Sequence, residues 1–228
     1  MTFARIEGVQ LSPEQVGVAI SHSPLGGGHI GLCFHSGKNG LQLLHLAWHR
    51  NLRVEAIPAD IRICWVADII DIPTSAAKQL VALMRFVSSR KPHIGYGINL
   101  FKAKGSFDAR GIYSAPVGSD GLTCATFVVE VLRSASINLV DESTWAFSQA
   151  NVNWGVSVCR ALADSGVAAS HVDSVKSNIS GFRMRPFEVA GVAQEANASW
   201  PVNFQHAQTC ATRAEQELLA YCPSSQCA

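Results

Sequence analysis

The chain has 228 residues, 48% of them hydrophobic and 15% charged, enough to bury a sizeable core in one large domain or one and a half. Its 18 Lys+Arg against 17 Asp+Glu leave a formal charge of +1, which excludes a global field that would recruit nucleic acid or anionic lipid. No apolar run reaches the length of a membrane span, and the opening "MTFARIEGVQLSPEQ" lacks the basic-then-apolar pattern of a secretory signal.

Seven cysteines (33, 64, 124, 159, 210, 222 and 227) are odd in number and show no CxxC spacing. That pattern suits reduced thiols in a protein made in the cytoplasm, with export by a signal-less route left open. Cys210, Cys222 and Cys227 cluster near the C-terminus and could pair after such export. Charge is uneven: residues 1–113 carry 12 basic and 7 acidic side chains, the remainder 6 and 10. Arg85, Arg90, Lys91, Lys102, Lys104 and Arg110 form a mildly basic stretch that reads as a solvated face.

Along the chain, "HIGLCFH" and "LQLLHLAWH" are short apolar runs separated by the turn residues of "SGKNG", which predicts a β-hairpin. "RVEAI" and "RICWVADII" read as two further strands split by Pro58. A helix follows. Pro73 suits its first turn, and Ala77, Leu80, Val81, Met84 and Val87 recur at helical spacing until Lys91-Pro92. Residues 92–122 are Gly-rich and irregular, a loop and candidate lid. Phe127, Val128, Val131 and Leu132 then give a buried helical stripe. Further helices are predicted around 152–164, 170–178, 186–196 and 205–221, with Ser170 and Asp173 spaced as a capping box and Pro186 as a helix starter. Strands first and helices last predict an α+β chain: a core over 1–140 and a helical extension over 141–228 packed on it.

The junction "GSDGLTCATFVVEVL" places a cysteine where a helix begins. With Thr123 or Asp120 as cap, Cys124 falls in the first turn, where free N–H groups and the positive end of the helix dipole converge. A thiol there is expected to be partly ionised. The same N–H groups can hold the oxyanion of an acyl-transfer intermediate. The other cysteines lie within strand or helix patterns or near the tail, where a free cysteine behaves as a small apolar residue.

A nucleophilic thiol needs a base, and the base needs an orienting partner. His29 opens a strand just after Gly26-Gly27-Gly28, which leave backbone room for another element to approach. A hairpin turning near Lys38 and Asn39 sets opposite one another residues whose numbers sum to about 74–77, which makes His29 and His45 near cross-strand neighbours. They read as base and orienter. His22 and His35 are spare candidates for the base, and His93, His171 and His206 have no contextual support.

These residues resemble circularly permuted NlpC-type hydrolases of papain-like fold, a group that includes lecithin:retinol acyltransferase-like relatives. "GHIGL" is similar to the family's His-x-Gly-aliphatic first strand, "LLHLA" to its second strand, "LTCATFV" to its nucleophile helix, and "KPHIGYGINLF" to the Gly-x-x-Tyr segment between them. The histidine preceding the cysteine marks the permutation. The resemblance spans roughly residues 20–135. It implies a papain-like, circularly permuted fold with an antiparallel sheet and a nucleophile helix. It also implies Cys124 as nucleophile, His29 as general base and acid, His45 as the third member, and Tyr96 in the substrate groove, with no metal or cofactor. The implied activity is cleavage of amide bonds in peptides or cell-wall stem peptides. Alternatives are a lipid acyltransferase or thioesterase of the same fold, or a non-catalytic binding module. Were the chain a delivered effector, an inhibitor or immunity protein would be its partner.

A metal site is the rival reading. His29, Cys33, His35, His45 and His49 are all plausible ligands, and "HLAWH" has zinc-protease spacing. Leu46, however, stands where that motif needs a glutamate, and on a strand His45 and His49 would share one face about 13 Å apart. "G-x-S-x-G", the signature of a serine hydrolase, is absent.

Overall fold

A computed structural model describes residues 2–222 of the chain. It is α+β: a six-stranded, fully antiparallel sheet with six α-helices among the described residues. The strands are β1 (Ala4–Arg5), β2 (Val16–Ser21), β3 (His29–His35), β4 (Leu41–Trp48), β5 (Asn51–Ala56) and β6 (Trp65–Ile69), in the order β1-β6-β2-β3-β4-β5. The helices are α1 (Thr74–Arg90), α2 (Cys124–Ser134), α3 (Gln149–Asp164), α4 (Ala169–Ser177), α5 (Pro186–Ala193) and α6 (Phe204–Tyr221). None is long and apolar enough to cross a membrane.

The predicted hairpin is β3–β4, and its pairs, from Leu32 with Leu44 to His35 with Leu41, fall inside the expected register window. The two further predicted strands are β5 and β6. They do not pair, because β6 crosses to the far side of β2. β1 and β2 are the strands that sequence reading leaves unassigned, and β2 is the central one of the two. "VGVAIS" is buried at every position, so it lacks the alternation that marks a half-exposed strand.

One sheet face carries Val18, Ile20, Ile30, Leu32, Phe34, Leu44, Leu46 and Val66, all fully buried beneath α1, α2 and α5. The other carries Ala19, Cys33, Leu43, Trp65 and Ala67, closed by Ile6 and Leu11. Helix α1 buries the predicted stripe of Ala77, Leu80, Val81, Met84 and Val87. In α5, Pro186 takes the first helical position as expected, and Phe187, Val189, Ala190 and Val192 join the main core. The Ser170–Asp173 capping box does not form. Helix α4 starts one residue earlier, with Ala168 as its cap, so Ser170 lies inside the helix.

The Gly-rich segment 92–122 is no free lid. Its ends are closed on each other by hydrogen bonds from Leu122 N–H to the Gly95 carbonyl (2.9 Å) and from Gly97 N–H to the Leu122 carbonyl (3.3 Å). Leu100, Ala103 and Phe107 are buried in the main core.

The cysteines depart from the all-reduced expectation. Cys64 and Cys222 form a disulfide with Cα atoms 5.8 Å apart, across a sequence separation of 158. They meet because α6 returns along β6, a contact that spacing alone does not encode. Cys33, Cys124, Cys159 and Cys210 are free and buried, and Cys227 lies outside the described residues. Closing so long a loop restricts the unfolded chain. Reduction, or a Cys64→Ser/Cys222→Ser double variant, should therefore lower stability by about 3–5 kcal/mol. Urea melts with and without reductant measure this, and coincident midpoints would refute it.

Candidate active site

Helix α2 begins at Cys124 because Thr123 caps it. The Thr123 hydroxyl accepts from Thr126 N–H (3.1 Å), and the Thr126 hydroxyl accepts from Thr123 N–H (2.8 Å). That reciprocal pair leaves the N–H groups of Cys124 and Ala125 free of the cap, and both bear on the Cys124 sulfur. A third N–H comes from the sheet. The β3–β4 ladder stops at Leu32 and Leu44; beyond it β3 pairs only with β2, and β4 only with β5. The backbone N–H of Ile30, the residue after His29, favours the charged form of the Cys124 thiol.

His29 and His45 are diagonal neighbours on one sheet face. His29 Nε2 lies 2.7 Å from His45 Nδ1, and His45 Nε2 lies 3.5 Å from a carboxylate oxygen of Glu55 on β5. Gly31, opposite His45 in the register, makes this possible. A Cβ there would stand 2.8 Å from the His45 Cβ and 2.9 Å from the Leu44 carbonyl oxygen. Trp65 closes the base of the pair, its ring centroid 5.4 Å from His29 and 5.3 Å from His45.

If His45 keeps its proton on Nε2, toward Glu55, its Nδ1 can accept the His29 Nε2 proton, which leaves the His29 lone pair on Nδ1. Among the described residues Nδ1 has no hydrogen-bond partner, and the ring lines the same cavity as Cys124. The His45 imidazole beside it holds the Glu55 carboxyl below its ordinary range.

Charge states differ from the expectation of a partly ionised thiol. Burial pushes the Cys124 thiol up, against the opposing pull of the Ile30 N–H, the Arg183 guanidinium and the N–H groups of Ala125 and Cys124. Burial, with His45 next, lowers His29 to about 3. The resting pair is thiol and neutral imidazole. Two expectations follow. The kcat/KM of any reaction that uses this pair should be flat between pH 5 and 8, because neither group titrates there; a steep rise centred near pH 6.5 in a rate profile would overturn it. Stability should fall as pH drops from about 6.5 toward 3, because the unfolded chain takes up a proton at this imidazole and the folded one does not. His29→Gln should flatten that fall in acid urea melts.

The cavity is about 460 Å³ and gathers Cys124, His29, His45 and Tyr96 on its walls. Tyr96 is buried, packs at 4.5 Å on the Trp48 ring, and has its hydroxyl pKa raised by burial. Its backbone is held from both sides: His49 Nδ1 accepts its N–H (3.2 Å), and His171 Nε2 lies 3.1 Å from its carbonyl oxygen. His45 lies within β4, whereas His49 lies beyond its end, past an irregularity between Leu46 and Trp48, and the two have separate partners. His22 also lines this cavity, its Nε2 2.8 Å from the Cys222 carbonyl oxygen, whereas His35, whose backbone carbonyl accepts from Arg85, is not among the lining residues. Helix α3 supplies Trp154 and Ala161 to the cavity lining and its C-cap Ser165 adds to them, which makes the segment after residue 140 part of the cavity. Among the described residues, the only three-member cluster with metal-ligand geometry is Glu195, His206 and Cys210, on and beside α6 and away from this cavity. Its glutamate is already bonded to Arg213 at 2.8 Å.

Sequence reading missed Glu55, Trp65, Trp154 and Arg183. Glu55 could have been found two residues along a strand paired with β4, but Arg183 carries no local signal. No protein-family model matches the chain, and neither the curated proteins nor the solved structures give a match.

Proposed function

We propose that the protein is a cysteine-dependent acyl-transfer hydrolase that cleaves amide bonds, with a permuted papain-like arrangement of its catalytic groups. The observation that carries this reading is the convergence of a helix-start cysteine and an ordered His29–His45–Glu55 chain on one cavity. Because the resting thiol is protonated, attack is coupled to proton transfer. His29 Nδ1 takes the thiol proton as the sulfur bonds to the carbonyl carbon, and the oxyanion accepts from the N–H groups of Cys124 and Ala125. The imidazolium gives its proton to the departing amine, and a thioester remains. Water then attacks, losing a proton to His29, and the thiol is restored as the acid leaves. His45 and Glu55 are positioning residues that hold the His29 tautomer.

Peptides, including cell-wall stem peptides, are the substrates that the resemblance suggests. The apolar walls of Leu25, Trp48, Ile63 and Met184 favour a second reading, lipid acyl transfer or thioester hydrolysis. The Cys64–Cys222 disulfide supports action in an oxidising compartment.

Intact-mass spectrometry after brief acid quench distinguishes the readings. Stem-peptide fragments, a peptide library and acyl phospholipids are each incubated with the protein, and the Cys124 peptide is sequenced. A peptide-derived thioester adduct supports the amidase. A fatty-acyl adduct supports the second reading. No adduct, together with iodoacetamide labelling of Cys124 no faster than Cys159, would leave only a binding module.

A further inference from the structure

Arg183 lies in the turn before α5, well removed in sequence from the catalytic groups, yet its side chain forms part of the cavity wall that holds Cys124, His29 and Tyr96. Its guanidinium carbon sits 3.5 Å from the Trp154 ring centroid, a stacked cation–π contact that fixes the plane of the group. The glycine loop 26–28 closes over it. A Cβ on Gly27 would stand 2.9 Å from Arg183 Nη2, and one on Gly28 would stand 3.0 Å from the Phe187 ring, so the segment around 183–187 is the element for which those glycines leave room.

What the guanidinium lacks is an anion. Among the described residues it makes no ion pair and no hydrogen bond to another side chain. The carboxylate that bears on it, Glu188, is already committed to Arg185 (2.7 Å), to the Trp145 indole (3.3 Å) and to Gln208. The cavity lining contains a second arginine, Arg53, and no aspartate or glutamate at all. A cavity-lining guanidinium that is only part-exposed and has its donors unspent is well placed to be completed by something anionic. Burial lowers its pKa only to about 10, so it remains charged at neutral pH.

We infer that Arg183 is a specificity-determining residue that binds a carboxylate on the acyl half of the substrate, which makes the protein selective for amides whose acyl group carries a second, free carboxylate. This deepens the hydrolase reading and rests on it for the word substrate. The geometry suits the ligand: a planar fork pre-oriented by Trp154 matches a carboxylate in two parallel hydrogen bonds, and the site is large enough for an acyl chain beside it.

The test separates binding from turnover. Isothermal titration of the Cys124→Ala protein uses two matched probes, the p-nitroanilide of glutaric acid with its free carboxylate and the same compound as its terminal carboxamide. The succinyl and adipoyl homologues cover the unknown span to the sulfur. At least one carboxylate probe should bind tenfold or more tightly than its carboxamide partner. Adding Arg183→Gln should bring the two within about twofold, while Arg183→Lys should keep part of the preference. Circular dichroism and thermal melts confirm that each variant is folded. Equal binding of the carboxylate and carboxamide probes, no binding of either, or a preference that survives Arg183→Gln would overturn the inference. A loss of binding for both probes alike in Arg183→Gln would overturn it too, since the residue would then shape the cavity and not read charge. Release of p-nitroaniline by the wild-type protein is followed in parallel. Selective binding with no release would leave the carboxylate site standing and remove the hydrolase reading, whereas release without selectivity would do the reverse.

Discussion

Cys124→Ala should abolish turnover, a loss of about a thousandfold or more, because in the proposed mechanism the sulfur is the atom that bonds to the carbonyl carbon and no neighbour can replace it. The fold should survive. Cys124 is 6% exposed, and the substitution deletes a single atom in a helix-start position that alanine tolerates. His29→Gln should cost a comparable factor, and the double variant should be little worse than either alone, because the two residues act as one unit in the proton transfer. Cys210→Ala, made in α6 and outside the cavity lining, should keep full activity. The measurement is product formation by mass spectrometry on whichever substrate class gives the adduct. Turnover that persists in the Cys124→Ala protein would end the nucleophile assignment.

A large effect on stability is expected at Gly121. A Cβ at this position would stand 1.8 Å from the Gly95 carbonyl oxygen and 2.3 Å from its carbon, both backbone atoms, and the residue has φ of +126°. Neither partner can step aside without breaking the Leu122-to-Gly95 hydrogen bond that closes the loop. Gly121→Ala should therefore cost about 3 kcal/mol or more, the combined scale of backbone strain and overpacking. Gly8→Ala, with nothing within 4 Å of its Cβ, is the control and should change stability by about 0.5 kcal/mol or less. Urea midpoints of the two variants settle the comparison, and equal midpoints would show that the loop closure at 95–97 and 121–122 is not rigid. Because Leu122 leads directly into the Thr123 cap, the surviving folded fraction of Gly121→Ala should also lose activity.

Much of this site is visible before any coordinates. The helix start at Cys124 is written in Thr123, Thr126 and the apolar stripe that follows, since capping and periodicity act over three or four residues. The approach of His29 to His45 is written in the turn length and the two-residue period of a hairpin, and the observed register agrees. Pro186 and the α1 stripe are legible for the same reason.

Other features depend on which elements the chain brings together, and no local pattern specifies that. Strand β2 is central and buried on both faces, so its sequence lacks the alternation that would reveal it. Glu55 completes the histidine chain only because β5 pairs with β4, and Cys64 finds Cys222 only because α6 lies along β6. Desolvation reverses the expected charge state of Cys124, because burial is a property of everything packed around a group and outweighs the N–H groups that the helix start provides. The sequence by itself thus determined the α+β class, the place of Cys124 at a helix start and the histidine pair, all of which arise from interactions between near neighbours along the chain or across one hairpin. Tertiary structure alone decided the strand order, the disulfide, the protonation of the resting pair and the arrival of Arg183 under the glycine loop, because each depends on burial and contact between segments far apart in the chain.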